Sequence, residues 1–257
     1  PAFSEYEAAL AAAGCAVSRF ALKPEDDFRV TEDFLDAAER ADMVFVCNPN
    51  NPTGQVTPKE LLRALARRCG ERDAILVVDE CFIDFLDAPG EYAMPGELAA
   101  FPHMILLRAF TKIFAMPGLR LGYCLSANPQ NLRTVFAAGP PWSVSAPAQL
   151  CGLAALGDTE YPLRARALVA EQRARLKAAL EDHGFKIYGS LANFIFFDAP
   201  DLPFLDELLR EQGILIRSCD DYKGLRKGYF RAAVRDADSN QRLIAALARL
   251  KGGGQDG

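Results

Sequence analysis

Between residues 43 and 125, short apolar runs alternate with helical stretches, and each run ends on polar or turn-forming residues. Met43–Cys47 leads straight into Asn48-Pro49-Asn50-Asn51-Pro52-Thr53-Gly54, Ala74–Val78 ends at Asp79, and Met104–Leu107 stops just before Lys112. Leu121–Leu125 reads as a further strand. Thr57-Pro58 opens a helix to about Cys69, with proline in the first turn, where its missing N–H leaves no bond unmade. Strands joined by helices form a mostly parallel sheet with helices on its faces. Such sheets bind ligands beyond the carboxyl ends of their strands. Asn51, Asp79 and Lys112 lie at or just past predicted strand ends, so the pattern aims three polar side chains at one crevice.

The flanking regions extend this α/β pattern. Upstream, a helix at Ser4–Ala13, a strand near Cys15–Leu22 and a helix at Thr31–Arg40, N-capped by Thr31, are expected. Downstream come helices at Ser145–Leu156 and Thr159–His183, then strands near Phe185–Tyr188 and Asn193–Phe197. A helix at Leu202–Gln212, strands at Ile214–Arg217 and Tyr229–Val234, and a helix at Asp236–Leu250 complete the reading. The arginines of Arg164–Arg175 are interleaved with Glu160, Glu171 and Glu181, which predicts a solvated face. The expected organisation is a large domain over 1–140, connecting helices with a smaller α+β domain over 141–257, and a flexible tail from 252 to 257. The chain begins inside the alternating pattern without a methionine, so an N-terminal truncation is expected.

Several classes of function fit poorly. A net charge of −5 argues against a nucleic-acid partner, which calls for a basic face. No apolar run approaches the roughly 20 residues that cross a bilayer, and the start has no basic segment followed by an apolar one. The seven cysteines stand singly, which suits buried thiols in a reducing cytoplasm better than a disulfide framework. His103 and His183, the only histidines, give little from which to build a metal site or a histidine triad.

What remains is a chemistry of amines and carboxylates. Lysine is a useful nucleophile when its charged form is disfavoured, and Lys112 sits among Phe110, Ile113 and Phe114, an apolar setting. A carboxylate at the end of a buried strand, Asp79, calls for a cationic partner, and a protonated pyridine nitrogen would be one. Asn51 lies in a proline-flanked turn from which it could donate to a ring hydroxyl. Arg120, inside Pro117-Gly118-Leu119-Arg120-Leu121-Gly122, suits a phosphate, which a guanidinium grips with two parallel hydrogen bonds.

Taken together, Asn51-Pro52-Thr53-Gly54, Asp79-Glu80-Cys81-Phe82, Thr111-Lys112 and the Pro117–Gly122 segment resemble the signature set of the class I/II aminotransferase-like, fold-type I enzymes. The resemblance implies a pyridoxal 5'-phosphate cofactor bonded to Lys112, with Asp79 at the ring nitrogen, Asn51 at the ring hydroxyl and Arg120 at the phosphate. Phe3 matches the aromatic residue that stacks on the ring. Within that family, Pro141-Trp142-Ser143-Val144, Ile214–Cys219, Tyr229–Arg235 and Asn240–Leu247 resemble the threonine-phosphate decarboxylase branch, whose near relatives are the histidinol-phosphate aminotransferases.

This narrower likeness implies decarboxylation of L-threonine O-3-phosphate to (R)-1-amino-2-propanol O-phosphate in cobalamin biosynthesis, with transamination of histidinol phosphate, or a catalytically incompetent fragment of either enzyme, as the alternatives. It implies a small phosphorylated amino-acid substrate, Arg231 at its carboxylate, Arg217 at its phosphate, and a cytoplasmic homodimer. Two positions depart from the wider family. Phe82 stands where a tyrosine is usual, and Ala109 stands where many relatives carry a phosphate-binding serine.

Overall fold

The computed structural model describes residues 1–252, so the expected tail lies, from residue 253 on, outside the described residues. Two compact units emerge, and each is interrupted in sequence.

One unit comprises Val30–Pro49 and Val56–Arg166. Its four strands follow in the order β1 (Met43–Cys47), β2 (Ile75–Asp79), β3 (Met104–Ala109) and β4 (Gly122–Leu125). The first three run parallel, and β4 pairs antiparallel with β3. Cys47 is in register with Asp79 and Asp79 with Leu107, so the carboxyl ends of β1, β2 and β3 form one row, as the alternation predicted.

The helix Lys59–Gly70 explains the packing. Its buried residues, Leu62, Leu65, Ala66 and Cys69, follow the i, i+3, i+4, i+7 spacing of one helical face. They cluster with Val44, Val46, Leu76, Val78, Met104 and Leu106, which are alternate residues of three strands and therefore share one sheet face. Each large apolar side chain buried this way contributes about 1.5–3 kcal/mol. Cys47, Val77 and Ile105 are buried from the other side, as in a sheet covered on both faces.

The second unit comprises Pro1–Arg29, Asn50–Gln55 and the chain from Ala167 onward. Its sheet is antiparallel, in the order β5-β6-β8-β7, with β5 Lys186–Tyr188, β6 Phe194–Asp198, β7 Arg217–Ser218 and β8 Tyr229–Ala233. Every residue of β6 is buried. The Phe196 ring stacks on that of Tyr229 at 5.5 Å between centroids, and Phe28 meets both edge-on. From Ala167 on, the helix Glu160–Asp182 belongs to this unit.

Three local expectations are corrected. No strand forms at Cys15–Leu22, where most residues are exposed and none joins a ladder. The second helix spans only Asp33–Ala37 before tightening into a 3₁₀ turn at Ala38–Arg40, and Thr31 receives the Phe34 N–H on its backbone carbonyl rather than its side chain. Arg173 is not part of a solvated face. It is buried, and its Nη1 donates to the carbonyls of Leu191 (2.8 Å) and Ala192 (3.3 Å). Backbone carbonyls that accept from its planar fork of donors help to make this burial tolerable. Among the described residues, no helix is long and apolar enough to cross a membrane.

Candidate active site

In the parallel-sheet unit, the polar residues gather where β2 and β3 end. Asp79 is buried, and its Oδ1 accepts the Cys81 N–H at 2.9 Å, a turn closed by the aspartate side chain two residues upstream. Burial pushes the Cys81 thiol well up; the Asp79 charge and a hydrogen bond to it add to the rise, and Lys112 opposes it. Both charged residues therefore act on this one thiol.

Lys112 lies on the single helical turn Phe110–Ile113. Phe110 and Ile113, three residues apart, face inward and are buried, which leaves Lys112 pointing out. The apolar neighbours read from the sequence thus flank the lysine without enclosing it: Lys112 is exposed, with its Nζ 5.0 Å from the centre of the Phe82 ring. Phe82 supplies a cation–π face where a tyrosine would have supplied a hydroxyl. Arg120 is exposed, adopts a left-handed φ of 55°, and donates from Nη1 to the carbonyl of Pro117 at 3.0 Å.

Glu80, next to Asp79, serves the frame. It is fully buried, lies 2.7 Å from Arg108 in an ion pair, and accepts the Met94 N–H at 2.7 Å. Burial pushes its carboxyl above the usual range, while Arg108 and that N–H pull it back.

Asn51, Arg217 and Arg231 come together in the antiparallel-sheet unit. The loop carrying Asn51 is closed by the Asn50 N–H on Gln55 O and the Gly54 N–H on Asn50 O, both 2.7 Å. It is pinned by the Ser190 N–H on Thr53 O at 2.9 Å and the Leu191 N–H on Gly54 O at 3.1 Å. The approach is so close that a Cβ on Gly54 would lie 2.8 Å from Ser190 Cα, and its φ of +68° also favours glycine. Asn50 Nδ2 donates to Pro1 O at 3.1 Å, which ties the start of the chain to this loop. Phe3 is 38% exposed and packs edge-on against Tyr6, 5.6 Å between centroids.

Asn51 is buried, and its Oδ1 accepts from the Tyr222 hydroxyl at 3.2 Å and from Arg231 Nη1. The Arg231 guanidinium lies 5.1 Å from the Phe194 ring centre. On the neighbouring strand Arg217 stands directly opposite Arg231. It pairs with Asp221 and lies 5.8 Å from the Tyr222 ring centre. Two like charges directly opposite on an antiparallel pair are unfavourable on their own. Here one carboxylate, one amide oxygen and two aromatic faces offset the repulsion.

Sequence reasoning missed Cys81, Asp221 and Tyr222. The first carried a signal, since a residue two after an aspartate commonly donates to its side chain. The other two sit in a turn between strands, and the Tyr222–Asn51 contact joins residues 171 apart, for which no local pattern exists.

Comparison with known proteins adds family context. Residues 1–247 match the family of class I and II aminotransferases. The chain is 38% identical over 254 residues to the threonine-phosphate decarboxylase of Salmonella typhimurium, covering 97% of this chain and 69% of that protein. It is 34% identical over 252 residues to the histidinol-phosphate aminotransferase of Methanosarcina mazei, covering 96% and 65%. Its fold is similar to that of the histidinol-phosphate aminotransferase from Sinorhizobium meliloti, solved in complex with pyridoxal-5'-phosphate, with a TM-score of 0.87 and 25% identity over 98% of this chain and 68% of that one. The chain thus spans about two thirds of the length of these relatives.

Proposed function

The chain belongs to the aminotransferase class I and II family, and from that membership we propose that it takes part in pyridoxal-phosphate-dependent decarboxylation of L-threonine O-3-phosphate, giving (R)-1-amino-2-propanol O-phosphate for cobalamin synthesis. The observation that carries this reading is the register pairing of Arg217 with Arg231. Two guanidiniums at adjacent positions suit a small substrate with two anionic groups, and threonine phosphate has a carboxylate and a phosphate. The likeness to the Salmonella decarboxylase supports the same choice.

The residues present fit the cofactor by the chemistry of the donor set. A buried carboxylate, an exposed amine and an exposed guanidinium lie in one unit: Asp79, Lys112 and Arg120. They match a basic ring nitrogen, an aldehyde and a phosphate in turn. Asn51 has its carbonyl oxygen taken by Tyr222 and Arg231, so its amide N–H groups are the side suited to a ring oxygen. Phe3 would supply an aromatic face. When bound, pyridoxal phosphate supplies an electron sink for the pair left as a bond to the substrate's Cα breaks.

The protein's own share is to hold and position. Asp79 keeps a proton at the ring nitrogen. Arg231 and Arg217 hold the substrate's carboxylate and phosphate, and so fix which Cα bond is poised to break. The Lys112 amine would return a proton to Cα.

A second reading is aminotransfer on histidinol phosphate, favoured by the likeness to the Methanosarcina enzyme. Phe82 in place of the usual tyrosine leans against it. The two readings separate in parallel assays of the full-length protein, one with threonine phosphate and one with histidinol phosphate, each with 2-oxoglutarate present. Carbon dioxide release without glutamate is expected, and Lys112→Ala should abolish both turnover and the absorbance band that arises from the cofactor's bond to this lysine. Glutamate formed without carbon dioxide would replace the first reading with the second.

A further inference from the structure

We propose that Asp221 is a specificity-determining residue: an internal carboxylate that occupies Arg217 and thereby sets which anions bind there and how tightly. The proposal rests on the reading of Arg217 as the ligand of the substrate's phosphate.

The turn after β7 is built to return this carboxylate to the strand. The Tyr222 N–H bonds the Cys219 carbonyl at 3.1 Å, which folds residues 219–222 back on Arg217. Asp220 is diverted, because its Oδ1 accepts from the Ser218 hydroxyl at 2.9 Å. Asp221 is left to pair with Arg217, four residues earlier. Tyr222 contributes a ring beside the same guanidinium and spends its hydroxyl on Asn51.

The two opposed arginines are therefore not equivalent. Arg231 is half-buried and meets a neutral amide oxygen, whereas Arg217 meets a full negative charge, with both partners of that pair well exposed at 46% and 58%. A pair so exposed is weak and screened by salt, so an arriving anion can displace it. A phosphate dianion gains two parallel hydrogen bonds and twice the charge of a carboxylate, and it can win that exchange. A singly charged anion gains little over what Asp221 already provides. The carboxylate thus lowers the affinity for every anion while favouring doubly charged ones.

The test is calorimetric titration of the full-length, cofactor-loaded protein with inorganic phosphate at low ionic strength, in wild type, Asp221→Asn, Arg217→Gln and the double variant. Loading with cofactor keeps the probe away from the cofactor's own phosphate site. Asp221→Asn should tighten phosphate binding by about two- to fivefold, the range an exposed ion pair accounts for. Arg217→Gln should weaken binding, and in that background Asp221→Asn should change nothing further. Weaker binding in Arg217→Gln with no tightening in Asp221→Asn would overturn the role of Asp221 and leave Arg217 as a phosphate ligand. Phosphate binding unaffected by Arg217→Gln would overturn both.

Discussion

The Arg231 guanidinium donates to Oδ1 of Asn51, a residue 180 positions earlier in the chain. With Phe194 against its face and Asn51 at its edge, Arg231 is held in a defined pose rather than left to sample rotamers. Arg231→Gln should lower kcat/KM for threonine phosphate by about 10- to 100-fold, the range expected when a hydrogen bond to a charged group is lost. Arg231→Lys should not rescue it, because an ammonium cannot reproduce the planar fork that serves Asn51 and a carboxylate together. Steady-state kinetics of the two variants check this, and a lysine variant with wild-type kcat/KM would remove the geometric argument.

Gly54 is the point where the Asn51 loop meets the Ser190 backbone. Alanine there would add a Cβ 2.8 Å from Ser190 Cα at a φ of +68°, and neither backbone can yield without breaking the 2.9 Å and 3.1 Å bonds beside it. Gly54→Ala should therefore destabilise the protein by about 2 kcal/mol or more, combining backbone strain with overpacking. Urea denaturation measures it. Gly14→Ala is the control: Gly14 also has a positive φ, but a Cβ there would meet nothing within 4 Å. Equal losses at the two positions would show that strain alone, and not the close approach, matters at Gly54.

The parallel strands were legible because their periodicity and their polar ends coincide: Asp79 closes β2, and β3 stops just short of Lys112. The orientation of Lys112 was not, since flanking apolar residues say nothing about which face of one helical turn points out. Cys15–Leu22 has the composition of a strand, but composition cannot show whether a sheet edge lies beside it. The helix Pro129–Ala138 was missed although Asn128 caps it, donated to by the Gln130 N–H, with proline at the first position. For the site, Asn51 was singled out by its turn just past a strand end, and Arg217 and Arg231 by the resemblance. Their common cluster through Tyr222 was not, because it is assembled from residues far apart in sequence.

Glu80 and Arg108 form a buried pair beside the strand ends, with the glutamate fully buried and the arginine side chain 12% exposed. Arg108→Ala should cost about 3–5 kcal/mol, because it leaves a carboxylate in the interior without its cation. Adding Glu80→Gln should recover part of that loss, since a neutral amide oxygen can still accept the Met94 N–H without a buried charge. A double-mutant cycle by urea denaturation reads the coupling. Strict additivity of the two changes would mean that the pair is not energetically linked.

Cys219 sits at the base of the turn that carries Asp221 and Tyr222, and its fully buried thiol is pushed up to about 12, chiefly by burial, with Arg231 and Arg217 opposing. In the unfolded chain the same thiol ionises near 8.5. The folded state therefore keeps a proton that the unfolded state releases, so this group's stabilisation is fully present below about pH 8.5 and is lost as pH rises toward about 12. Cys219→Ala lacks that titration. Its cavity should make it less stable than wild type at pH 7.5, and the gap should narrow by about 1.4 kcal/mol by pH 9.5, the full linkage for one group over one unit past its unfolded pKa. Urea denaturation of both proteins at the two pH values provides the comparison. A gap that stays constant would mean the thiol titrates alike in both states, and that the base of this turn is open to water.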